Sequence, residues 1–226
     1  MARIVFLLTV LPCLLHAQCD DLPWEAQLVR TINQIDAPAV RTTSYIVSDA
    51  LMPLAIGTPI AFYVGGWIAD DPQPQETAVQ LVATLGVTYG VTYALKAITD
   101  RERPYQAYPD CITNYRNDSE GSFPSGHSSG AAALATTLSL RYPYWYVIAP
   151  SVTYALLTGF SRMNLGMHYL SDVLAGYAIG VGVAFTMDAV NETLFRWADG
   201  IIVEPNSSAS TFRPLHTPLL AISFGL

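Results

Sequence analysis

From Ala50 to Ala69 the chain runs for twenty residues without a charge, and from Thr77 to Leu95 for nineteen more. About 20 apolar residues is the length an α-helix needs to cross the hydrocarbon of a bilayer. Further uncharged helical runs follow at 144–160 and 173–187. Only 13% of the residues are charged and 51% are hydrophobic, where an average soluble domain carries roughly 25% charge. The chain therefore reads as all-α, an antiparallel helical bundle of five or six helices embedded in a membrane. Pro53, Pro59, Gly65 and Gly66 fall within the first run, where they bend or pack a membrane helix.

The ends read differently. Arg3 followed by the apolar Ile4–Leu15 makes residues 1–17 either a signal peptide cleaved after Ala17 or a short first membrane helix. Residues 18–50 read as amphipathic surface helices joined by turns, with Trp24 and Tyr45 either at a membrane interface or in the core. Residues 18–195 form the helical domain, and 196–226 an irregular tail containing the polar run Asn206–Ser210. Cys19 and Cys111 are the cysteines that remain after cleavage, and in an oxidising compartment they can pair. N-x-S/T triplets start at Asn117, Asn191 and Asn206.

A net charge of −7 excludes nucleic acid as a partner. Basic residues are scarce, so their placing is informative. Lys96, Arg101, Arg103, Arg116 and Arg162 all fall in or near polar connections. If helices 77–95, 128–140 and 144–160 pack antiparallel through short turns, segments 96–127 and 161–172 meet at one end. The small residues of Ser128–Leu140 let neighbouring backbones approach closely. The opposite end carries the acidic turn Asp70, Asp71 and Glu76 and has few cations, a poor match to the basic cytoplasmic loops of membrane proteins.

The converging segments carry chemistry. His168 and Asp172 stand four apart, which on a helix places them on one face. The carboxylate then holds one imidazole nitrogen and leaves the other nucleophilic. Arg103 and Arg162 supply guanidinium forks that match phosphate oxygens, and Lys96 supplies a point charge. Ser125, Gly126 and His127 open a helix whose N–H groups point at an anion. With phosphate as the target, His168 attacks phosphorus and His127 protonates the leaving oxygen. No spacing of Asp, Glu or His suggests a metal ligand set, so neither metal nor other cofactor is expected. Taken singly, Lys96 and Arg103 also suit juxtamembrane anchors, and Ser125 and Gly126 a plain helix cap; taken together, the set points to phosphate.

Three motifs stand in order here. K-x6-RP is met by Lys96, Arg103 and Pro104, PSGH by Pro124–His127, and SR-x5-H-x3-D by Ser161, Arg162, His168 and Asp172. This set resembles the type 2 phosphatidic acid phosphatase superfamily, which includes class A acid phosphatases and vanadium haloperoxidases. The resemblance implies metal-independent phosphate release, with His168 as nucleophile and His127 as general acid. It assigns Lys96, Arg103, Ser125, Gly126 and Arg162 to the phosphate. It also implies a lipid phosphate or diphosphate substrate reached from the membrane, with the site facing the periplasm or exterior. A soluble secreted acid phosphatase and a vanadium haloperoxidase are the alternatives it leaves open.

Overall fold

The computed structural model describes residues 19–35, 37–118 and 120–191. The expected leader at 1–17, the tail at 196–226 and the triplet at Asn206 lie outside the described residues. The rest is helical: α1 (Trp24–Asn33), α2 (Pro38–Ala69), α3 (Pro72–Thr99), the single turn α4 (Pro104–Ala107), α5 (Gly126–Arg141), α6 (Trp145–Asn164) and α7 (Leu170–Ala189).

α5 lies at the centre, packed against α3, α6 and α7, while α2 covers α3 and α6. Its composition explains that position. Ser128, Ser129, Gly130, Ala131, Ala132, Ala133 and Ala135 are all buried, and these small side chains let the neighbouring helices approach closely. α7 answers with Gly176 and Gly180. A Cβ at Gly176 would stand 2.6 Å from the Ser125 carbonyl oxygen, and one at Gly180 would meet the Ser129 backbone.

Three helical segments are long and apolar enough to cross a membrane: Pro38–Ala69, Pro72–Ala107 and Leu170–Ala189. In the first, only 22% of the apolar window is buried, so most of its hydrophobic surface faces outward. Ile56, Ile60, Trp67 and Ile68 on α2, Val82 on α3, Leu156 on α6 and Leu174 on α7 are exposed. An outward-facing belt of that kind belongs in lipid. Trp67, Tyr144, Trp145 and Tyr146 ring the end away from the polar connections, where amphipathic aromatics sit at the headgroups.

The structure corrects the expected course of residues 18–50. α2 is one helix from Pro38 and runs through both Pro53 and Pro59. Arg41 and Asp49 interrupt the apolar pattern, yet both are satisfied at the polar end. Arg41 donates to Asn164 Oδ1 at 3.0 Å and to the Asn33 carbonyl at 2.6 Å, and Asp49 pairs with Arg116 at 2.5 Å. The charged third of α2 thus continues the helix into the polar cap. α1 is amphipathic as expected. It buries Ala26 and Val29, with Leu22 before it, against Ile112, Met163, Tyr169 and Val173. Trp24 is exposed and Tyr45 half-buried.

Candidate active site

Segments 96–127 and 161–172 meet at one end, as their order in the chain requires. Asp71 caps α3 by accepting from Gln73 N at 3.0 Å, and α3 delivers Lys96 to its last turn. The chain then passes through Arg101 and Arg103 into α4. At the end of α6, Gly166 adopts φ +77°, a left-handed conformation that costs a side chain dearly. A Cβ there would also stand 2.6 Å from the Thr113 carbonyl oxygen. This turn brings His168 back toward the cations.

His168 is therefore not on a helix, which corrects the expected shared helical face. It precedes α7, and Asp172 lies in that helix's first turn. Asp172 Oδ2 accepts from Tyr169 N at 2.8 Å, bonding the opening of α7, and lies 3.5 Å from His168 Nδ1. The carboxylate still faces the imidazole, through a turn and cap rather than through helical spacing. His168 and Asp172 are both buried.

A cavity of about 220 Å³ opens beside His168. Lys96, Arg103, Gly126, His127 and His168 line it, together with Asp118 and Glu120. Leu51, Met52, Tyr89 and Tyr93, from α2 and α3, form its apolar wall. Arg103 is held on several sides. Its Nη1 donates to the Met167 carbonyl at 3.2 Å and stands 3.2 Å from His168 Nε2, and its Nε donates to the Glu120 carbonyl at 3.0 Å. Lys96 donates to the Gly121 carbonyl. Arg162 donates to Ser48 Oγ at 2.8 Å from Nη1 and to Asp118 Oδ2 at 3.2 Å from Nη2, while its Nε is buried without a hydrogen-bond partner.

Ser125 sits at the N-cap of α5. Its hydroxyl accepts from Ser128 N at 3.3 Å and from Ser128 Oγ at 2.9 Å, so the side chain caps α5. Its backbone N–H donates to the Asp172 carbonyl at 3.0 Å, tying the motif at 124–127 to α7.

Three charged residues given no role by the sequence reading sit in this network. Asp118 Oδ2 lies 3.3 Å from Arg103 Nη2 and 3.2 Å from Arg162 Nη2, one carboxylate between two guanidiniums. Arg101 donates to Asp172 Oδ1 at 2.7 Å and pairs with Glu25 at 3.0 Å. Arg101 was legible as one of the clustered cations. Asp118 and Glu25 carried no signal, since their contacts depend on tertiary folding.

The cations also set the protonation of the imidazoles. Burial first, then Arg162, Arg103 and Lys96, push His168 well below its ordinary value of 6.5. Burial and the same three cations, with His168, also lower His127. Without an anion in the cavity both rings are neutral at pH 7, which is the form a nucleophile needs. Bound phosphate offsets the cations and makes a protonated His127 easier to sustain. Among the described residues, no three His, Cys, Asp or Glu side chains are grouped to hold a metal ion.

Residues 77–196 match the model of the PAP2 superfamily. The chain belongs to the PAP2 superfamily. It is accordingly a hydrolase of phosphate esters, and the three motifs of its sequence fall within the matched segment. Among curated PAP2 relatives, it is 27% identical over 169 residues to undecaprenyl-diphosphatase BcrC of Bacillus subtilis, covering 74% of this chain and 81% of that protein. It is 34% identical over 121 residues to decaprenylphosphoryl-5-phosphoribose phosphatase of Mycobacterium tuberculosis, covering 52% of this chain and 64% of that one. Among solved structures, LpxE of Aquifex aeolicus superposes with a TM-score of 0.61 at 24% identity, over 75% of this chain and 97% of that one. A PAP2-type phosphatidylglycerolphosphate phosphatase from Bacillus subtilis superposes with a TM-score of 0.57 at 22% identity, over 75% and 85%. At such identities these two structures speak for the fold.

Proposed function

We propose that this PAP2 member is a metal-independent membrane phosphatase of lipid phosphates or diphosphates, acting through a phosphohistidine. The observation that carries the proposal is the mixed lining of the cavity. Lys96, Arg103, His127 and His168 line it together with Leu51, Met52, Tyr89 and Tyr93, on helices whose outer faces are lipid-like. A phosphate on an apolar chain suits both kinds of lining. The names of the curated relatives, a polyprenyl diphosphatase and a decaprenylphosphoryl-sugar phosphatase among them, support the same substrate class.

His168 Nε2 attacks phosphorus and the bond to the leaving oxygen breaks. His127 gives that oxygen a proton, then takes one from the water that hydrolyses the phosphohistidine. Lys96, Arg103, Arg162 and the backbone at Gly126 neutralise the equatorial oxygens. Ser125 serves by capping the helix that presents Gly126 and His127.

The site end faces an oxidising space, the periplasm or exterior. The support is the disulfide between Cys19 and Cys111, whose Cα atoms are 5.6 Å apart. Such bonds persist outside the reducing cytosol, and this one lies at the end that carries the site.

The test is phosphate release by detergent-purified protein in excess EDTA, comparing a polyprenyl diphosphate with a water-soluble monoester, and with His168→Ala as the blank. Preferred release from the lipid, lost in the variant, is expected. Equal or faster release from the soluble ester would overturn the lipid assignment, and loss of release in EDTA would overturn metal independence.

A further inference from the structure

Glu25 lies in the first turn of α1, well before the segment matched by the family model, which begins at residue 77. It is not among the residues that line the cavity. Its carboxylate is nonetheless 15% exposed and doubly engaged. Oε2 accepts from Arg101 Nη2 at 3.0 Å, and Oε1 accepts from the Ser171 backbone N–H at 2.6 Å. The second bond satisfies one of the orphan donors at the start of α7, from a different helix.

Arg101 passes this hold onward. Its Nη1 donates to Asp172 Oδ1 at 2.7 Å and to Ser171 Oγ at 2.7 Å, and its guanidinium lies 4.0 Å above the Tyr169 ring. The two oxygens of Asp172 are thereby divided. Oδ1 is fixed by Arg101, while Oδ2 is fixed by Tyr169 N and faces His168 Nδ1. A carboxylate held at one oxygen alone can swing about its Cβ–Cγ bond. This one is gripped at both, so the oxygen facing the imidazole stays in place. Carboxylate, guanidinium, carboxylate and imidazole alternate in a line from α1 to the ring.

α1 is anchored firmly enough to serve as the fixed end. The disulfide ties the segment before it to Cys111. Asn33 at its C-terminus donates to the carbonyls of Thr113 and Asn164, each at 3.0 Å, and accepts from Thr113 N at 2.9 Å. Its buried face contributes Ala26 and Val29 to the cluster that contains Tyr169 and Val173.

We infer that Glu25 and Arg101 are positioning residues for the nucleophile, holding Asp172 so that it orients His168, and that α1 is a strut of the active site. The inference rests on the reading of His168 as the nucleophile. Outer partners of metal-bound histidines are typically worth about 10- to 100-fold in activity, and the same order is expected for an oriented nucleophilic histidine.

The experiment uses the full chain in detergent and measures kcat and KM on a polyprenyl diphosphate, with inhibition by orthovanadate as a separate probe of the anion pocket. For Glu25→Gln, which keeps the shape and removes the charge, kcat is expected to fall about tenfold while KM and vanadate inhibition stay within about twofold. Glu25→Asp, which restores the charge, is expected to recover part of the lost kcat. Arg101→Lys, which cannot grip two carboxylates as a fork does, is expected to repeat the loss of kcat and serves in place of Glu25→Gln if that variant does not fold. Wild-type kcat in these variants, with His168→Ala inactive, would overturn the positioning role and leave the nucleophile standing. Vanadate inhibition weakening in step with kcat would overturn it too, since the damage would then be to the pocket as a whole. Release by His168→Ala at the wild-type rate would instead remove the nucleophile itself.

Discussion

The two ends of the bundle both hold arginines, and they use them in opposite ways. At the end away from the site, Arg141 pairs with Glu76 at 2.9 Å and donates to Thr77 Oγ1 at 3.2 Å, and nearby Gln80 donates to Asp188 at 3.2 Å. Cation and acid are matched there, and the result is a clamp between α3 and α5. At the site end Lys96 and Arg103 line a cavity, and the guanidiniums of Arg103 and of Arg162 behind it lean on the single carboxylate of Asp118. That carboxylate is 45% exposed, so solvent already competes for it. Cations gathered around a cavity, rather than the mere presence of arginine, are what distinguish the site end.

The largest expected effect separates the ends by chemistry. His168→Ala should lower phosphate release by roughly 10³-fold or more, whereas Arg141→Ala should leave kcat nearly unchanged. Comparable losses of turnover in both would erase the distinction. Arg141→Ala should act on stability instead, leaving a part-buried Glu76 without its cation at a cost of about 1–3 kcal/mol, read as a lower Tm in detergent.

Asp118→Asn sharpens the same contrast. Removing the resident carboxylate frees two guanidiniums for an incoming anion, and orthovanadate inhibition should tighten about threefold to tenfold. Weaker inhibition would instead make Asp118 a brace for the two arginines.

The smallest effect is in pH. Burial first, and then the cations, hold the folded-state pKa of His168 below 6.5. The neutral nucleophile therefore persists as the pH falls, and the acid limb of kcat/KM attributable to this group lies well below 6.5. The stability consequence has the same sign. Below 6.5 the unfolded chain binds a proton that folded His168 refuses, so its contribution weakens the fold as pH drops from there. An acid limb at 6.5 or above would mean that burial and the neighbouring cations do not keep the ring neutral.

Much of this was legible beforehand because it is local. Uncharged runs mark the helices, and the spacing of Lys96, Arg103, His127 and His168 along antiparallel elements is enough to bring them together. The course of α2 was not legible. Residues 18–50 read as surface helices joined by turns, because the partners that satisfy Arg41 within a continuous helix lie at Asn33 and Asn164. Nor was the relation of His168 to Asp172, since a four-residue spacing is the same in a helix as in a turn followed by a cap, and only the left-handed Gly166 decides between them. Asp118, Arg101 and Glu25 entered through contacts that reach 44, 71, 76 and 146 positions along the chain, distances over which pattern carries no information.

The bond between Cys19 and Cys111 closes a loop of 92 residues around the first half of the site. In terms of biogenesis, this makes the strut conditional on where the chain arrives. A copy inserted with its polar end in a reducing compartment would keep two free thiols, and the segment ahead of α1 would lose its tether to the loop it covers. Topology would then be read out twice, once by which substrates the cavity can reach and once by whether the nucleophile's support is fastened.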